Sequence, residues 1–462
     1  MGRTTSSVKR NLLALVLCFA ALAAIAYGPL NRAFGADAAK QQPSAQLVAL
    51  GLKFEGAAGC NAAKCHGATT ATPAPKPAGN EYTTWSEKDK HAEAWKTLAK
   101  LNGDAQKIAD ALKLGKADAS PACTNCHALN VPANLQMAKF DVKEGITCGA
   151  CHGPYEKWDK PHNQPGGADG LRTAAGYKVL KAEESLYSTT SPEHQKLLKE
   201  YGLYDTRPIL ARAEKCASCH LAIDSKLIDA GHPTPIFELA YYTSLLNPPH
   251  WREPGGYWGT KVWAAGQVVC LRDAMIQLAD RATGGDPDKL VKDAYNQAMG
   301  HLFAFRHLTG GKGAAALEAA AKDLKAAGAD KAKLAAAAKS AAAAASSMME
   351  SVATLKPAEG NTAGLLGKIS ADPDPAKEAG LRGAQQQALA LATLCASLKQ
   401  GKGAVAGLDD VQKMIDEKLL ALVGDETTFK PDDFAANLKA VAGKLMPMLP
   451  SGAGVPDPID LK

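Results

Sequence analysis

Residues 145–154 read Gly-Ile-Thr-Cys-Gly-Ala-Cys-His-Gly-Pro, in which two cysteines are separated by two residues and a histidine follows directly. The same Cys-x-x-Cys-His pattern recurs at 123–127 and at 216–220. A longer version at 60–66, Cys-Asn-Ala-Ala-Lys-Cys-His, has four residues between its cysteines. All but three of the 11 cysteines fall in these segments. The chemistry of the chain therefore depends on what paired cysteines with an adjacent histidine can do.

We number these segments motifs 1 to 4 in chain order. Two thiols at this spacing add to the two vinyl groups of one haem, and the next histidine is then held under the iron as an axial ligand. The sequence thus predicts four covalently attached haem c groups. The cysteines expected to form the thioether bonds are Cys60, Cys65, Cys123, Cys126, Cys148, Cys151, Cys216 and Cys219. The expected iron ligands are His66, His127, His152 and His220.

Two alternatives concern these motifs. Zinc sites also use paired cysteines, but they do not require a histidine directly after each pair. For motif 1, the alternative is a local disulfide between Cys60 and Cys65, which would leave three haems. The longer loop can still present both sulfurs to one porphyrin edge, so four haems remain the prediction.

The second axial ligands are expected among the histidines outside the motifs, because histidine or methionine supplies such ligands. His91, His162 and His232 lie close in sequence to aromatic residues or to a motif, and we predict that they ligate iron. His250, in a Pro-Pro-His-Trp segment, is a further candidate, whereas His194 is a weaker one. The remaining two, His301 and His307, are predicted to be core or surface residues.

The N-terminal segment has the pattern of a secretory signal peptide. Basic residues at positions 3, 9 and 10 precede an apolar run over 11–26, and small residues at 33 and 35 offer a cleavage site before Ala36. We therefore expect residues 1–35 to be a signal peptide and the protein to be exported, periplasmic or extracytoplasmic. The alternative is an uncleaved N-terminal segment that associates with the membrane, since the apolar run approaches spanning length.

The composition of the chain changes near residue 283. All six tryptophans lie between Trp85 and Trp263, whereas the later segment is rich in alanine. We predict a haem domain at 36–282 and an Ala-rich helical bundle or appendage at 283–462, so that the fold is mainly α with little regular sheet. Breaker residues and periodicity place helices near 286–309, 314–327, 330–355, 375–400, 408–423 and 431–447. The alanine run at 335–345 is expected to be helical rather than a linker.

Two cysteines of the exported chain lie outside the motifs. Cys270 and Cys395 both fall in predicted helices. A free cysteine is commonly a small buried hydrophobe, and this is the favoured interpretation. A disulfide that ties the two halves together is the alternative, which export would permit.

The charge of the chain excludes one class of partner. The net charge of +6 is small for 462 residues, and no segment forms a basic block. We therefore expect no nucleic-acid binding.

The motifs resemble those of the tetrahaem cytochrome c554-like family of multihaem cytochromes, over about residues 50–282. The resemblance rests on Trp85-(x5)-His91-Ala92, on residues 145–154 followed by His162, and on Gly231-His232-Pro233. It implies a mostly helical fold around closely packed haem pairs, with most irons bound by two histidines. It also implies that His91, His162 and His232 are distal ligands, and that the haem on His127 is the best candidate for an open site. The small members have no counterpart of 283–462.

These features predict an electron carrier that acts between redox protein partners. Irons with two histidine ligands have no free coordination position, so they pass electrons rather than bind substrate. The alternative is an oxidoreductase that acts on a small nitrogen or oxygen compound at a five-coordinate haem. No Cys-x-x-Cys-Lys motif is present, which excludes the lysine-ligated haem of one reductase class. A third possibility makes the helical half a docking or scaffold module.

Overall fold

The computed structural model describes most of the chain between residues 48 and 449. The described residues are 48–73, 78–100, 103–163, 172–173, 176–177, 192–221, 223–246, 250–403 and 405–449. They belong to one compact unit. The predicted signal peptide, 1–35, lies outside the described residues and stays a prediction.

The first half of the chain consists of short helices. They are α1 Glu81–Lys88, α2 Ala94–Leu98, α3 Asp104–Ala111, α4 Pro121–His127, α5 Cys148–His152, α6 Pro192–Lys199, α7 Ile209–His220, α8 Ser225–Asp229 and α9 Leu239–Ser244. Single 3-10 turns occur at Ala57–Gly59, Lys90–Glu93, Ala133–Leu135, Val142–Glu144 and Pro161–Asn163. Two-residue strands, β1 Arg172–Thr173 and β2 Gly176–Tyr177, pair antiparallel.

Long helices follow from residue 258 onward. They are α10 Trp258–Thr283, α11 Asp288–Arg306, α12 Gly311–Ala327, α13 Lys331–Ala353, α14 Glu359–Ala371, α15 Asp374–Lys402, α16 Leu408–Met414 and α17 Pro431–Leu445. A π-helical turn at Ile415–Leu420 and 3-10 turns at Ala421–Val423 and Met446–Met448 complete the set. The prediction of a mainly α fold is confirmed.

The two halves differ in how they bury apolar surface. Residues 48–203 contain small separate clusters, for example Phe54 with Leu129 and Val131, and Trp158 with Leu197 and Leu203. From Ile209 onward, the buried side chains form one continuous core that extends to Leu445. Short helices with small clusters are what we expected of a segment whose core is largely supplied by cofactors.

The alanine run lies inside α13, as predicted. Ala335, Ala338, Ala341, Ala342 and Ala345 are all buried, and α13 packs along α10. Alanine has the highest helix propensity, and its small side chain lets two helix axes approach closely. The run is therefore the packing face of a core helix.

Helix α14 was not predicted, because Gly360 suggested a break. The helix is stabilised at its start by Asn361, whose Oδ1 accepts a hydrogen bond from the Ala358 amide at 2.6 Å. Leu365, Leu366 and Ile369 are then buried against the core. Burial of this apolar face outweighs the low helix propensity of glycine.

The change in composition near residue 283 does not coincide with a gap in packing. Helix α10, which precedes it, contacts α11, α13 and α15, which follow it. The same helix packs against α7, the helix of motif 4. The division into domains at 282 stays a prediction. Within the described part of the chain, no helix is both long and apolar enough to cross a membrane.

Candidate haem-binding site

Three of the four motifs lie on helices. Motif 2 forms the end of α4, motif 3 forms α5, and motif 4 forms the end of α7. Residues three apart on a helix share one face, so both cysteines of each motif are presented together. Motif 1 differs, because only its last residues form a turn, in which the Cys65 amide donates to the Ala62 carbonyl at 2.8 Å. Its two extra residues lie in the exposed loop before this turn.

Three motif histidines each face a second histidine from elsewhere in the chain. The ring centroids of His66 and His162 are 6.3 Å apart, with an angle of 15° between the ring planes. Those of His127 and His232 are 6.3 Å apart at 72°. The ring centroids of His220 and His91 are 5.9 Å apart, with an angle of 79° between the ring planes.

These distances fit an iron held between two imidazoles. Two metal–nitrogen bonds of about 2 Å, plus about 1 Å from each nitrogen to its ring centre, separate the centroids by about 6 Å. The observed distances of 5.9 to 6.3 Å match this separation. The residues present therefore fit haem at these three motifs.

The fourth motif histidine, His152, lies near His250. Burial, and then the nearby His250, lower the pKa of His152 to about 4. Burial also lowers the pKa of His250. Because a metal binds the neutral imidazole, both effects favour the form that ligates iron. Every motif histidine thus has a second histidine in its surroundings.

Two of these histidines are oriented by carboxylates. His66 Nδ1 lies 3.0 Å from Glu81 Oε2, and this hydrogen bond raises the pKa of His66. His91 Nδ1 lies 3.0 Å from Asp89 Oδ1. Burial lowers the pKa of His91, but the hydrogen bond with Asp89 and the charges of Asp89 and Cys219 together outweigh burial, so the pKa is raised. Such carboxylates fix the ring orientation and increase the basicity of a metal-binding histidine.

Three further histidines donate from Nδ1 to backbone carbonyl oxygens. His152 donates to Tyr204 at 3.3 Å, His232 donates to Pro233 at 2.8 Å, and His162 donates to Asp159. A carbonyl oxygen can only accept, so Nδ1 carries the proton and Nε2 keeps its lone pair. This is the tautomer that a metal-binding histidine needs.

The remaining two motif histidines have different neighbours. His127 Nδ1 lies 3.1 Å from the Thr97 hydroxyl. The His220 ring stacks on Phe237, with centroids 5.0 Å apart. Burial, followed by the nearby His91 and His127, lowers the pKa of His220 to about 4.

The cysteines show which motifs are neighbours. Cys60 of motif 1 lies close to Cys148 of motif 3, and Cys126 of motif 2 lies close to Cys219 of motif 4. Cys151 of motif 3 is near enough to Cys219 for their charges to interact. The motifs are therefore arranged in space in the order 1, 3, 4, 2.

Two buried polar atoms add to the fit with haem. Thr147 Oγ1, next to Cys148, and Trp158 Nε1 have no hydrogen-bond partner among the described residues. The Trp158 ring lies 5.3 Å from that of His162. The propionates of a haem are acceptors of the kind that such groups need.

The cysteines of all four motifs are free thiols in this structure, and so are Cys270 and Cys395. In this structure no disulfide joins Cys60 to Cys65 or Cys270 to Cys395. Cys270 and Cys395 are both buried, as the favoured interpretation has it.

Two histidines, His301 and His307, lie outside the site. His301 is buried in α11, and its Nδ1 lies 2.9 Å from Gln267 Oε1. His307 Nε2 lies 2.8 Å from Asp372 Oδ2. Both are packed in the helical half, as predicted. His194 lies in α6, but its side chain is outside the described part of the structure.

The family resemblance made the haem on His127 the best candidate for an open site, and this expectation stays a prediction. In the structure His232 faces His127 at a distance that fits a shared iron. The pairing could not be read from the sequence, because the two residues lie on segments that meet only in the fold.

The side chains that orient the histidines were not predicted from the motifs. Asp89 could have been found, because a carboxylate two residues before a candidate ligand is well placed to bond its ring. Glu81 follows His66 only after a loop, and Thr97 and Phe237 meet their histidines across the fold. For these three the sequence carries no local signal.

Comparison with known proteins gives one match. No curated protein and no solved structure was found to match the chain. Residues 60–153 match the protein family described as cytochrome c554 and c-prime. This segment contains motifs 1 to 3, and the match confirms the resemblance over these residues. Over residues 60–153 the chain is thus similar to cytochrome c554 and c-prime, a family of haem c proteins.

Proposed function

We propose that this chain is an exported electron carrier that holds four haem c groups, with two histidines on each iron. The observation that carries the proposal is that three motif histidines face a second histidine at the distance that fits a shared iron, while the fourth, His152, lies near His250. The proposed ligand pairs, in motif order, are His66 with His162, His127 with His232, His152 with His250, and His220 with His91.

Haem supplies an iron that alternates between the ferric and ferrous states. The chain contributes the ligands that fill both axial positions, so no position is left for a substrate. Ligation by two histidines also gives a lower reduction potential than ligation by methionine and histidine. Both features suit a protein that passes electrons.

The order of the motifs supports transfer between two partners. Cysteines that lie close together link motif 1 to motif 3, motif 3 to motif 4, and motif 4 to motif 2. A linear array has two ends, at motifs 1 and 2. Cys65 of motif 1 is exposed, which makes this end accessible to a redox protein.

The oxidoreductase alternative is less well supported. It needs an iron with a single histidine ligand, whereas each motif histidine has a second histidine nearby. For the scaffold alternative, helix α13 of the helical half contacts α7, so that half also supports the helix that carries motif 4.

Export is proposed from the pattern of residues 1–35. A basic start, an apolar run and a small-residue cleavage site together are typical of a secretory leader. An N-terminus near Ala36 in the purified protein is the expected result.

The test uses the mature protein with its haems attached. Mass spectrometry should give the mass of four haems, and an EPR spectrum of the oxidised protein should contain only low-spin ferric signals. Carbon monoxide should not bind to the reduced protein. A high-spin signal together with stoichiometric carbon monoxide binding would favour the enzyme, and three haems would remove motif 1 from the proposal.

A further inference from the structure

The histidine proposed as the distal ligand of motif 3 contacts an aromatic side chain. The rings of His250 and Trp251 are in edge-to-face contact, with centroids 4.7 Å apart and 68° between planes. An edge-to-face contact of this kind is directional. The orientation of His250 therefore depends on where Trp251 is held.

Trp251 is in turn fixed by α7 and the segment before it. The guanidinium carbon of Arg212 lies 4.2 Å from the centre of the Trp251 ring, a cation–π arrangement. Trp251 Nε1 donates to the Thr206 hydroxyl at 3.2 Å. The indole is thus held on its face by one residue and at its nitrogen by another.

Arg212 is itself immobilised. Its side chain is 0% exposed. Its Nε donates to the Thr206 carbonyl at 3.1 Å, and its Nη1 forms an ion pair with Glu253, two residues after Trp251. A buried guanidinium is stable only when its hydrogen bonds are made. Arg212 therefore holds the segment 251–253 through two contacts, one with the Trp251 ring and one with the Glu253 carboxylate.

We propose that Arg212 is a positioning residue that holds His250, through Trp251, at the iron of motif 3. Arg212 lies one helical turn before Cys216 on α7. The distal ligand of motif 3 is thereby fixed to the helix of motif 4. The inference rests on the proposed function, in which His250 ligates that iron.

The consequence of losing Arg212 is a weaker sixth ligand. Residues that orient a metal-binding histidine typically contribute about 10- to 100-fold to metal affinity. Carbon monoxide competes with the distal histidine at a reduced iron. We therefore expect Arg212→Met to raise the affinity of one haem for carbon monoxide by about 10- to 100-fold.

The experiment titrates reduced holoprotein with carbon monoxide and records EPR spectra of the oxidised form. Arg212→Met and Trp251→Leu should each give a carbon monoxide-binding haem and a high-spin signal, with all four haems still attached by mass. Added imidazole should restore the low-spin spectrum, because it fills the coordination position that His250 leaves open. If Arg212→Met does not yield holoprotein, Trp251→Leu decides the question.

Arg272→Met is the matched control. Arg272 is also a buried arginine, 9% exposed, and it pairs with Glu214 of the same helix α7 at 2.8 Å. It contacts none of the proposed ligands among its described interactions, so its variant should stay low-spin. Titrations of Arg212→Met or Trp251→Leu that match this control would overturn the inference.

His250→Ala separates the inference from the proposed function. If His250→Ala binds carbon monoxide while the Arg212 and Trp251 variants do not, the ligand assignment stands and the positioning role fails. If His250→Ala itself stays wholly low-spin, the assignment of His250 as a ligand fails, and the positioning role fails with it.

Discussion

The imidazole rings of His127 and His232 face each other with their centroids 6.3 Å apart and their planes at 72°. One comes from the end of helix α4 and the other from the loop after α8. The Nδ1 of His127 lies near the Thr97 hydroxyl, and the Nδ1 of His232 lies near the Pro233 carbonyl oxygen. Both Nε2 atoms are thus available to one iron, at the motif for which an open haem was expected.

The first prediction is that His232→Ala opens the haem of motif 2. The variant should gain one high-spin ferric signal and bind carbon monoxide when reduced, because the iron loses its sixth ligand. All four haems should stay attached, since cysteines form the covalent bonds. EPR spectroscopy, carbon monoxide titration and mass spectrometry measure these changes.

His307→Ala is the control for this variant, because His307 pairs with Asp372 in the helical half. Its spectrum should equal that of the unchanged protein. A His232→Ala protein that remains wholly low-spin would show that His232 is not a ligand.

The second prediction concerns the angle between ligand planes. Nearly parallel imidazoles split the iron d orbitals that interact with them, whereas perpendicular imidazoles leave these orbitals close in energy. The 15° angle at motif 1 should give a rhombic low-spin EPR signal, and the 72° and 79° angles at motifs 2 and 4 should give strongly axial ones.

His162→Ala provides the assignment, because it should remove the rhombic signal and leave the axial signals in place. His91→Ala should do the reverse for one axial signal. Loss of an axial signal in His162→Ala would contradict the predicted ligand geometry of motif 1.

Local patterns were sufficient to predict the motifs and most of the long helices. The Cys-x-x-Cys-His segments carry their chemistry within five residues, and the alanine-rich face of α13 repeats at helical spacing. The helix at Glu359–Ala371 was missed, because its glycines are tolerated only through burial of Leu365 and its neighbours.

The pairing of ligands could not be predicted for a related reason. His91 precedes motif 2 in the sequence, yet its ring faces His220 of motif 4. His250 is near motif 4 in the sequence, but it lies near His152 of motif 3. Such pairs depend on the paths of the loops through the fold, which the periodicity of the sequence does not indicate.

The third prediction concerns the two cysteines outside the motifs. Burial raises the pKa of the Cys270 thiol, and it raises that of Cys395 to about 12. The thiolate is the reactive form, so neither cysteine should react with a thiol reagent in the native protein near neutral pH. After unfolding without reductant, both should be labelled.

Peptide mapping of the labelled protein should find the label at Cys270 and Cys395. The cysteines of the motifs are expected to be protected as thioethers. If neither residue is labelled after unfolding, the two halves are bridged by a disulfide in the exported protein.

The fourth prediction concerns Asp372 and acid stability. Burial raises the pKa of Asp372, but hydrogen bonds from His307, the Asp374 amide and Arg306 outweigh burial, so the pKa is lowered. An unfolded aspartate has a pKa of about 4. The stabilisation is therefore present above that pH and is lost as the pH falls through the lower pKa of the folded state.

Asp372→Asn should reduce the free energy of unfolding at pH 7 by about 2 kcal/mol, because hydrogen bonds to a charged group are lost. Urea unfolding at a series of pH values measures this difference in free energy. The difference should shrink as the pH falls below the pKa of an unfolded carboxyl group. Asp410→Asn is the control, since Asp410 pairs with Lys444 at the surface and exposed ion pairs contribute little. An Asp372→Asn protein that is as stable as the Asp410→Asn protein at pH 7, with the same pH dependence, would contradict the role assigned to this carboxylate.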